Sequence, residues 1–349
     1  MSGTSMDGVD AALASFSESD GRLVVRTVAS ASRPFPSSLQ TELHALQAPG
    51  DNEVHREALA ANQLARLYAE TALAAVKEAG IEPAAIRALG AHGQTIRHRP
   101  ELCYTRQIGN PALLAELTGI DVVADLRSRD IAAGGQGAPL VPAFHYEVFG
   151  DPAATRVVVN IGGIANISVL APGQSVIGFD TGPGNVLLDY WCMRHLGQAY
   201  DADGAWAASG RVLPDLLQIM LAEPYLDLPP PKSTGRDLFH AGWLETRLAA
   251  AAAGAPGDVQ ATLTEYTATT IARAILRYAR GTSEVYVCGG GACNATLLAA
   301  LTRNLEQRDA PIRVDTTAAL GVEPQLVEAL AFAWLAHRHV ARLPGNLPS

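Results

Sequence analysis

Several features that mark large classes of protein are scarce in this sequence. It holds four cysteines, Cys103, Cys192, Cys288 and Cys293, with no Cys-x-x-Cys pair. That usage excludes a disulfide framework and predicts reduced, mostly buried thiols. No run of Lys and Arg occurs and the formal net charge is −9, which argues against nucleic acid and anionic membrane surfaces as partners. No uncharged apolar run approaches the roughly 20 residues of a membrane span, and no basic-then-apolar leader opens the chain; the expected location is cytoplasmic. The absence of a Gly-x-x-x-x-Gly-Lys-Ser/Thr loop excludes a P-loop enzyme. His337 and His339 lack an acidic partner at metal-site spacing and read as a polar helix end. Asp201-Ala202-Asp203-Gly204 opens like a calcium loop, but Trp206 stands where glycine is needed and Val212 where Glu is needed. Calcium is rejected.

What remains is an apolar, lightly charged chain: 349 residues, 48% hydrophobic and 17% charged, the size of two packed domains. Gly and Pro punctuate alternating strand-like and helix-like segments, the pattern of an α/β protein. Residues 58–79 read as a long amphipathic helix closed by Gly80. Apolar runs at 86–91 and 121–126 lead into His92-Gly93-Gln94-Thr95 and into Arg127-Ser128-Arg129-Asp130. Near Gly150 the pattern restarts, with strand 156–160, the turn Ile161-Gly162-Gly163-Ile164 and strand 165–170. The restart echoes the opening, where a glycine turn runs into the strand-like residues 9–16, and predicts two related lobes at 1–152 and 153–349. Helices are predicted at 186–196, capped by Asn185 and stopped by Gly197, and at 258–278. A last apolar helix at 326–337 is expected to pack back on the first lobe.

Two turns set a carboxylate among Gly, Ser and Thr: Met1-Ser2-Gly3-Thr4-Ser5-Met6-Asp7-Gly8 with Val9 and Asp10, and Ile177 through Asn185 around Asp180. Such turns expose backbone N–H groups to phosphate oxygens. A carboxylate there is repelled by the same anion unless it holds a cation or removes a proton, and that pairing points to phosphoryl transfer. The simpler reading of Asp7-Gly8 is a hairpin turn, and that of Asp180 an Asp satisfied by its own turn. Strand 285–288, Gly289-Gly290-Gly291, helix 294–304 and strand 312–314 resemble a dinucleotide-binding unit without its third glycine, and the same geometry can hold an adenosine. Lys232 to Asp237 is polar enough to be a solvated loop. Arg127 and Arg129 follow a strand, where a guanidinium can grip a carboxylate or lie on the surface.

Taken together, these motifs resemble the anhydro-N-acetylmuramic acid kinases. The likeness runs through residues 1–10, 91–95, 107–110, 125–145, 160–166, 179–189, 232–239, 288–294 and 328–336. It implies two actin/sugar-kinase-like (ribonuclease-H-like) domains around an ATP cleft. It also implies a double reaction, in which water opens the 1,6-anhydro bridge at C1 while the released O6 takes the γ-phosphoryl group. By resemblance, Asp180 is the catalytic base. Gly3, Thr4, Ser5, Met6, Asp7, Gly8, Val9 and Asp10 hold ATP phosphates, with Mg2+ at Asp7. Gly162, Gly163, Gly289, Gly290, Gly291 and Asn294 serve the rest of the nucleotide, and Thr95, Arg127 and Glu328 join Asp180 on the sugar. A homodimer is expected. The family pattern carries an apolar strand ahead of Met-Ser-Gly-Thr-Ser, so a chain opening at Met1 is expected to anchor its phosphate loop less firmly.

Overall fold

A computed structural model describes residues 1–3, 6–19, 21–251, 254–306 and 311–347. The chain divides into two units, Met1–Val148 with Leu326–Ser349, and Phe149–Gln325.

In the first unit, β1 (Gly8–Ser19) and β2 (Arg22–Pro34) form an antiparallel hairpin whose register shifts between Leu13 and Ala14. β3 (Leu89–Gly90), β4 (Gln94–Arg99), β5 (Tyr104–Ile108) and β6 (Val122–Val123) follow; β3 pairs in parallel with β6 and β4 antiparallel with β5. The long helix is Glu53–Glu78, opening five residues before the apolar pattern suggests. It buries Ala61, Leu64, Ala65 and Tyr68, the i, i+3, i+4, i+7 stripe, against Val9, Leu39, Leu43, Ile96 and Ile108. The helix Val327–Val340 belongs to this unit, where Trp334 Nε1 donates to Glu147 at 3.0 Å and Arg338 pairs with the same carboxylate at 3.0 Å. Gly90 runs so close to that helix that a Cβ would strike the Phe332 carbonyl. An apolar cavity of about 80 Å3 lies between β1 and β3, lined by Val9, Ala11, Leu13, Leu89, Gly90 and Ala333. Met1, which also lines it, exchanges both main-chain hydrogen bonds with Asp10, its amine to the Asp10 carbonyl at 2.6 Å and the Asp10 N–H to its own carbonyl at 2.9 Å.

The second unit holds β7 (Thr155–Ile161), β8 (Ile164–Leu170), β9 (Ile177–Pro183), β10 (Thr282–Cys288) and β11 (Arg313–Thr316) in one sheet, ordered β11-β10-β7-β8-β9. β7, β8 and β9 are an antiparallel meander, and β10 and β11 run parallel to β7. This is the strand order of a ribonuclease-H-like domain, so the α/β class read from the sequence holds. Val157, Val159, Val285 and Val287 meet Ala268, Ile271 and Ile275 of the helix Pro256–Tyr278, and Leu297 and Leu301 of the helix Ala295–Leu305. Where the second unit has one five-stranded sheet, the described residues of the first form three two-stranded ones.

Local readings fare unevenly. The helix Val186–Leu196 closes at Gly197 as read, but the Asn185 side chain makes no cap; its amide donates to the Ile161 carbonyl at 3.3 Å. Asp180 lies inside β9 rather than after it. The four cysteines form no disulfide; Cys192 and Cys288 are buried while Cys103 and Cys293 are exposed, so burial holds for half of them. No helix among the described residues is long and apolar enough to cross a membrane.

Candidate active site

The turn ahead of β1 is braced from the stretch 92–94. The Ser2 hydroxyl donates to the Gly93 carbonyl at 2.9 Å, and Gln94 Nε2 donates to the Gly3 carbonyl at 3.1 Å. Met6, 1% exposed, holds φ at +55°, a costly conformation for a side chain of its size, and its carbonyl accepts from Gln40 Nε2 at 2.8 Å. Asp7 is exposed at the turn's end, its carbonyl taken by the Phe35 N–H at 2.9 Å. Gly8, Val9 and Asp10 already belong to β1. Thr4 and Ser5 lie outside the described residues. No group of three His, Cys, Asp or Glu side chains gathers anywhere among the described residues. A single exposed carboxylate suits a magnesium ion carried chiefly by phosphate oxygens and water, and does not suit an all-protein metal cage.

Arg127 is held rather than loose. Its Nε donates to His92 Nε2 at 2.9 Å, its Nη1 to the Gly137 carbonyl at 2.7 Å, and its guanidinium lies 6.0 Å from the centre of the Phe332 ring. His92 in turn bonds the Ser2 carbonyl through Nδ1 at 2.9 Å. Burial first, then the Arg127 charge, hold this imidazole well below its ordinary pKa, so it stays neutral. Thr95 sits on β4 opposite Gln107 and accepts from Gln107 Nε2 at 3.1 Å. A cavity of about 230 Å3 opens beside these groups, lined by His92, Gly93, Gln107, Asn110, Asp125 and Ser128. Asp125, two residues before Arg127, holds φ at +55°. Glu328 stands in the first turn of Val327–Val340, within electrostatic reach of the Met1 amino group. His92, Gln107 and Asn110 were not among the sequence candidates; they lie in two of the matched motifs, and that is the only signal the sequence offers for them.

In the second unit β7, β9 and β10 point their carboxyl ends to one edge of the sheet, the edge where open α/β sheets take ligands. The Gly162-Gly163 turn is tied to the end of β9: Gly184 N–H and Val186 N–H reach the Gly163 carbonyl at 2.9 and 3.1 Å, and Asn185 N–H the Gly162 carbonyl at 2.8 Å. Gly289 follows β10 with φ +79°, where a Cβ would meet the Asn160 side chain, and Gly291 packs directly on Ile161. So Gly162, Gly163, Gly289, Gly290 and Gly291 converge around the end of β7. Asn294 stands just after this turn. Its Oδ1 caps the helix Ala295–Leu305, accepting from Leu297 N–H at 2.9 Å.

Asp180 is 6% exposed and held from three directions. Its N–H donates to the Lys232 carbonyl at 3.3 Å, its carbonyl accepts from the Tyr225 hydroxyl at 2.8 Å, and its Oδ2 accepts from the Thr234 N–H at 3.0 Å. The stretch read as a solvated loop is therefore packed against the carboxylate, with Lys232 7% exposed.

Glycine turns at the carboxyl edge of a ribonuclease-H-like sheet, beside a buried and oriented carboxylate, define a protein of the actin and sugar-kinase class. The model of one family, anhydro-N-acetylmuramic acid kinase, matches residues 1–349. The chain belongs to that family. It is 58% identical over 348 residues to the anhydro-N-acetylmuramic acid kinase of Burkholderia orbicola (strain MC0-3), covering 99% of this chain and 90% of the relative. To those of Cupriavidus pinatubonensis (strain JMP 134 / LMG 1197) and Paraburkholderia xenovorans (strain LB400) it is 57% and 56% identical, over 99% and 100% of this chain and 92% of each relative.

Proposed function

We propose that this chain is an ATP-dependent kinase that opens 1,6-anhydro-N-acetylmuramic acid with water and phosphorylates the released O6. The products are N-acetylmuramic acid 6-phosphate and ADP, and the setting is cytoplasmic cell-wall recycling and amino-sugar catabolism. The observation that carries the chemistry is the Asp180 carboxylate, buried yet fixed through one oxygen by a backbone donor. Opening an internal acetal needs a base for the water and an acceptor for the leaving oxygen, the division of labour in inverting glycosidases. Asp180 is that base, and the leaving oxygen is captured by phosphorus.

Residues 1–152 with the C-terminal helix carry the phosphate loop from Gly3 to Asp10 and the sugar groups Thr95, Arg127 and Glu328. The rest of the chain carries Asp180 and the nucleotide turns Gly162-Gly163 and Gly289-Gly290-Gly291, with Asn294 behind them. Asp7 would hold magnesium, which supplies charge neutralisation at the phosphoryl oxygens. Arg127 faces the muramic carboxylate, its guanidinium oriented by His92 at Nε and by the Gly137 carbonyl at Nη1. The protein acts as a homodimer. Mass spectrometry of the anhydro sugar incubated with ATP and magnesium tests the reading: the sugar should gain one water and one phosphoryl group together. Release of inorganic phosphate with the sugar unaltered would refute it.

A further inference from the structure

Lys232 is a buried cation that the reaction as described does not use. Its ammonium donates to the carbonyls of Tyr225 at 3.1 Å and Leu226 at 3.0 Å. It also lies 4.6 Å from the centre of the Tyr225 ring and 5.8 Å from that of Phe179. Burial lowers its pKa, as expected for an ammonium taken from water, and the nearby Asp227 and Asp180 oppose that shift.

The position of this cation matters because of what it joins. Asp180 is held by two segments: Tyr225, through its hydroxyl, and the 232–234 stretch, through the Lys232 carbonyl and the Thr234 N–H. The Lys232 side chain binds the first segment and its main chain holds Asp180 directly, which closes a ring through Asp180, Tyr225 and Lys232. Phe179, one residue before Asp180, supplies a ring face to the same ammonium. We propose that Lys232 is a positioning residue for Asp180, fixing the two segments that orient the carboxylate and supplying the positive charge that favours its ionised form. The proposal rests on Asp180 being the general base. Other charged or titratable groups near this pair include Tyr225, which feels Asp237, Arg236 in the same segment as Lys232, and Asp227 and Arg277, which act on Lys232. The facing strand β8 contributes the neutral Asn166, and the helix Pro256–Tyr278 the neutral Thr270 beside Gly182.

The test is Lys232→Met, compared with Asp180→Asn and the double variant, in the full chain with the anhydro sugar, ATP and magnesium. Lys232→Met should lower kcat by about 10²-fold, the cost of a misplaced reacting group, and leave the KM for ATP unchanged. A base must be ionised, and removing a nearby cation disfavours the ionised form, so the acid limb of the kcat profile should move to higher pH. In the Asp180→Asn background Lys232→Met should add no further loss. Should Lys232→Met fail to fold, Lys232→Gln keeps a donor for the two carbonyls without the charge, and the same shift of the acid limb is expected. Wild-type kcat and an unmoved acid limb, with Asp180→Asn inactive, would overturn the role of Lys232 alone. Full activity of Asp180→Asn would instead overturn the reading of Asp180 as base.

Discussion

Arg127 Nε donates to His92 Nε2 at 2.9 Å, and that single bond decides the tautomer of the histidine. An arginine cannot accept, so Nε2 is the lone-pair nitrogen and Nδ1 carries the proton given to the Ser2 carbonyl at 2.9 Å. The neutral ring thus joins the turn ahead of β1 to the guanidinium proposed for the sugar carboxylate.

The two faces of His92 are separable by substitution. Asn places its amide near the position of Nδ1 and keeps the bond to Ser2, but leaves Arg127 without its acceptor. A hydrogen bond to a charged group contributes about 1.5–3 kcal/mol, so His92→Asn should raise the KM for the sugar by about 10–100-fold. The KM for ATP should change little. Equal sugar KM values in His92→Asn and wild type, in steady-state kinetics, would remove His92 from the orientation of Arg127.

Buried neutral histidines also set the acid stability. Burial pushes His145 down from 6.5 to about 3, and His92 moves the same way. Between those values the unfolded chain takes up a proton on His145 that the folded chain refuses. The folded state therefore loses about 1.4 kcal/mol per pH unit from that residue as pH falls below 6.5, and nothing above it. Urea unfolding at pH 7, 6 and 5 should show this decline, with a shallower slope in His145→Gln. A wild-type stability that stays flat from pH 7 to pH 5 would contradict it.

The cavity between β1 and β3 predicts the effect of an added strand. Because Met1 exchanges both main-chain bonds with Asp10, a segment joined ahead of Met1 continues antiparallel to β1 past Ala11, Ala12 and Leu13, along the cavity wall. An apolar extension of about six residues should occupy it, raise the melting temperature and tighten ATP binding through the turn that Met1 begins. The same melting temperature and nucleotide affinity with and without the extension, by calorimetry, would show that the cavity takes no strand.

How far the sequence foretold this structure depends on the range of the interactions involved. Val186–Leu196 and the strands of the β7–β8 turn were legible because glycine stops and short apolar runs are local. β2 was not legible: its outward positions include Val24 and Val28, 43% and 40% exposed, so no clean alternation marks it. Lys232 looks like a loop residue by composition, and only folding delivers the Tyr225 and Leu226 carbonyls that make its burial tolerable. That Asn294 caps the helix after the glycine turn, accepting from the Leu297 N–H, was not legible either, because the sequence pattern runs the helix through it. The Arg127–His92 bond spans 35 residues and leaves no trace in spacing.

Asp180→Asn separates binding from chemistry. The amide keeps the size of the side chain and an oxygen for the Thr234 N–H, but cannot take the proton of the attacking water. A positioned base contributes about 10²–10⁴-fold, so turnover should fall by at least that range with sugar and ATP affinities nearly unchanged. Opened sugar without phosphate should not accumulate, because water attack and phosphoryl transfer are linked. Wild-type turnover in this variant would leave Asp7 as the next candidate.

In the proposed reaction water attacks the sugar and not the phosphorus. Reaction of the wild-type protein with the anhydro sugar, ATP and magnesium in ¹⁸O-labelled water, quenched early and analysed by mass spectrometry, reads the site of attack directly. One ¹⁸O is expected on the C1 hydroxyl of the phosphorylated sugar and none in its phosphoryl group. Label in the phosphoryl oxygens or in free phosphate, with C1 unlabelled, would contradict it.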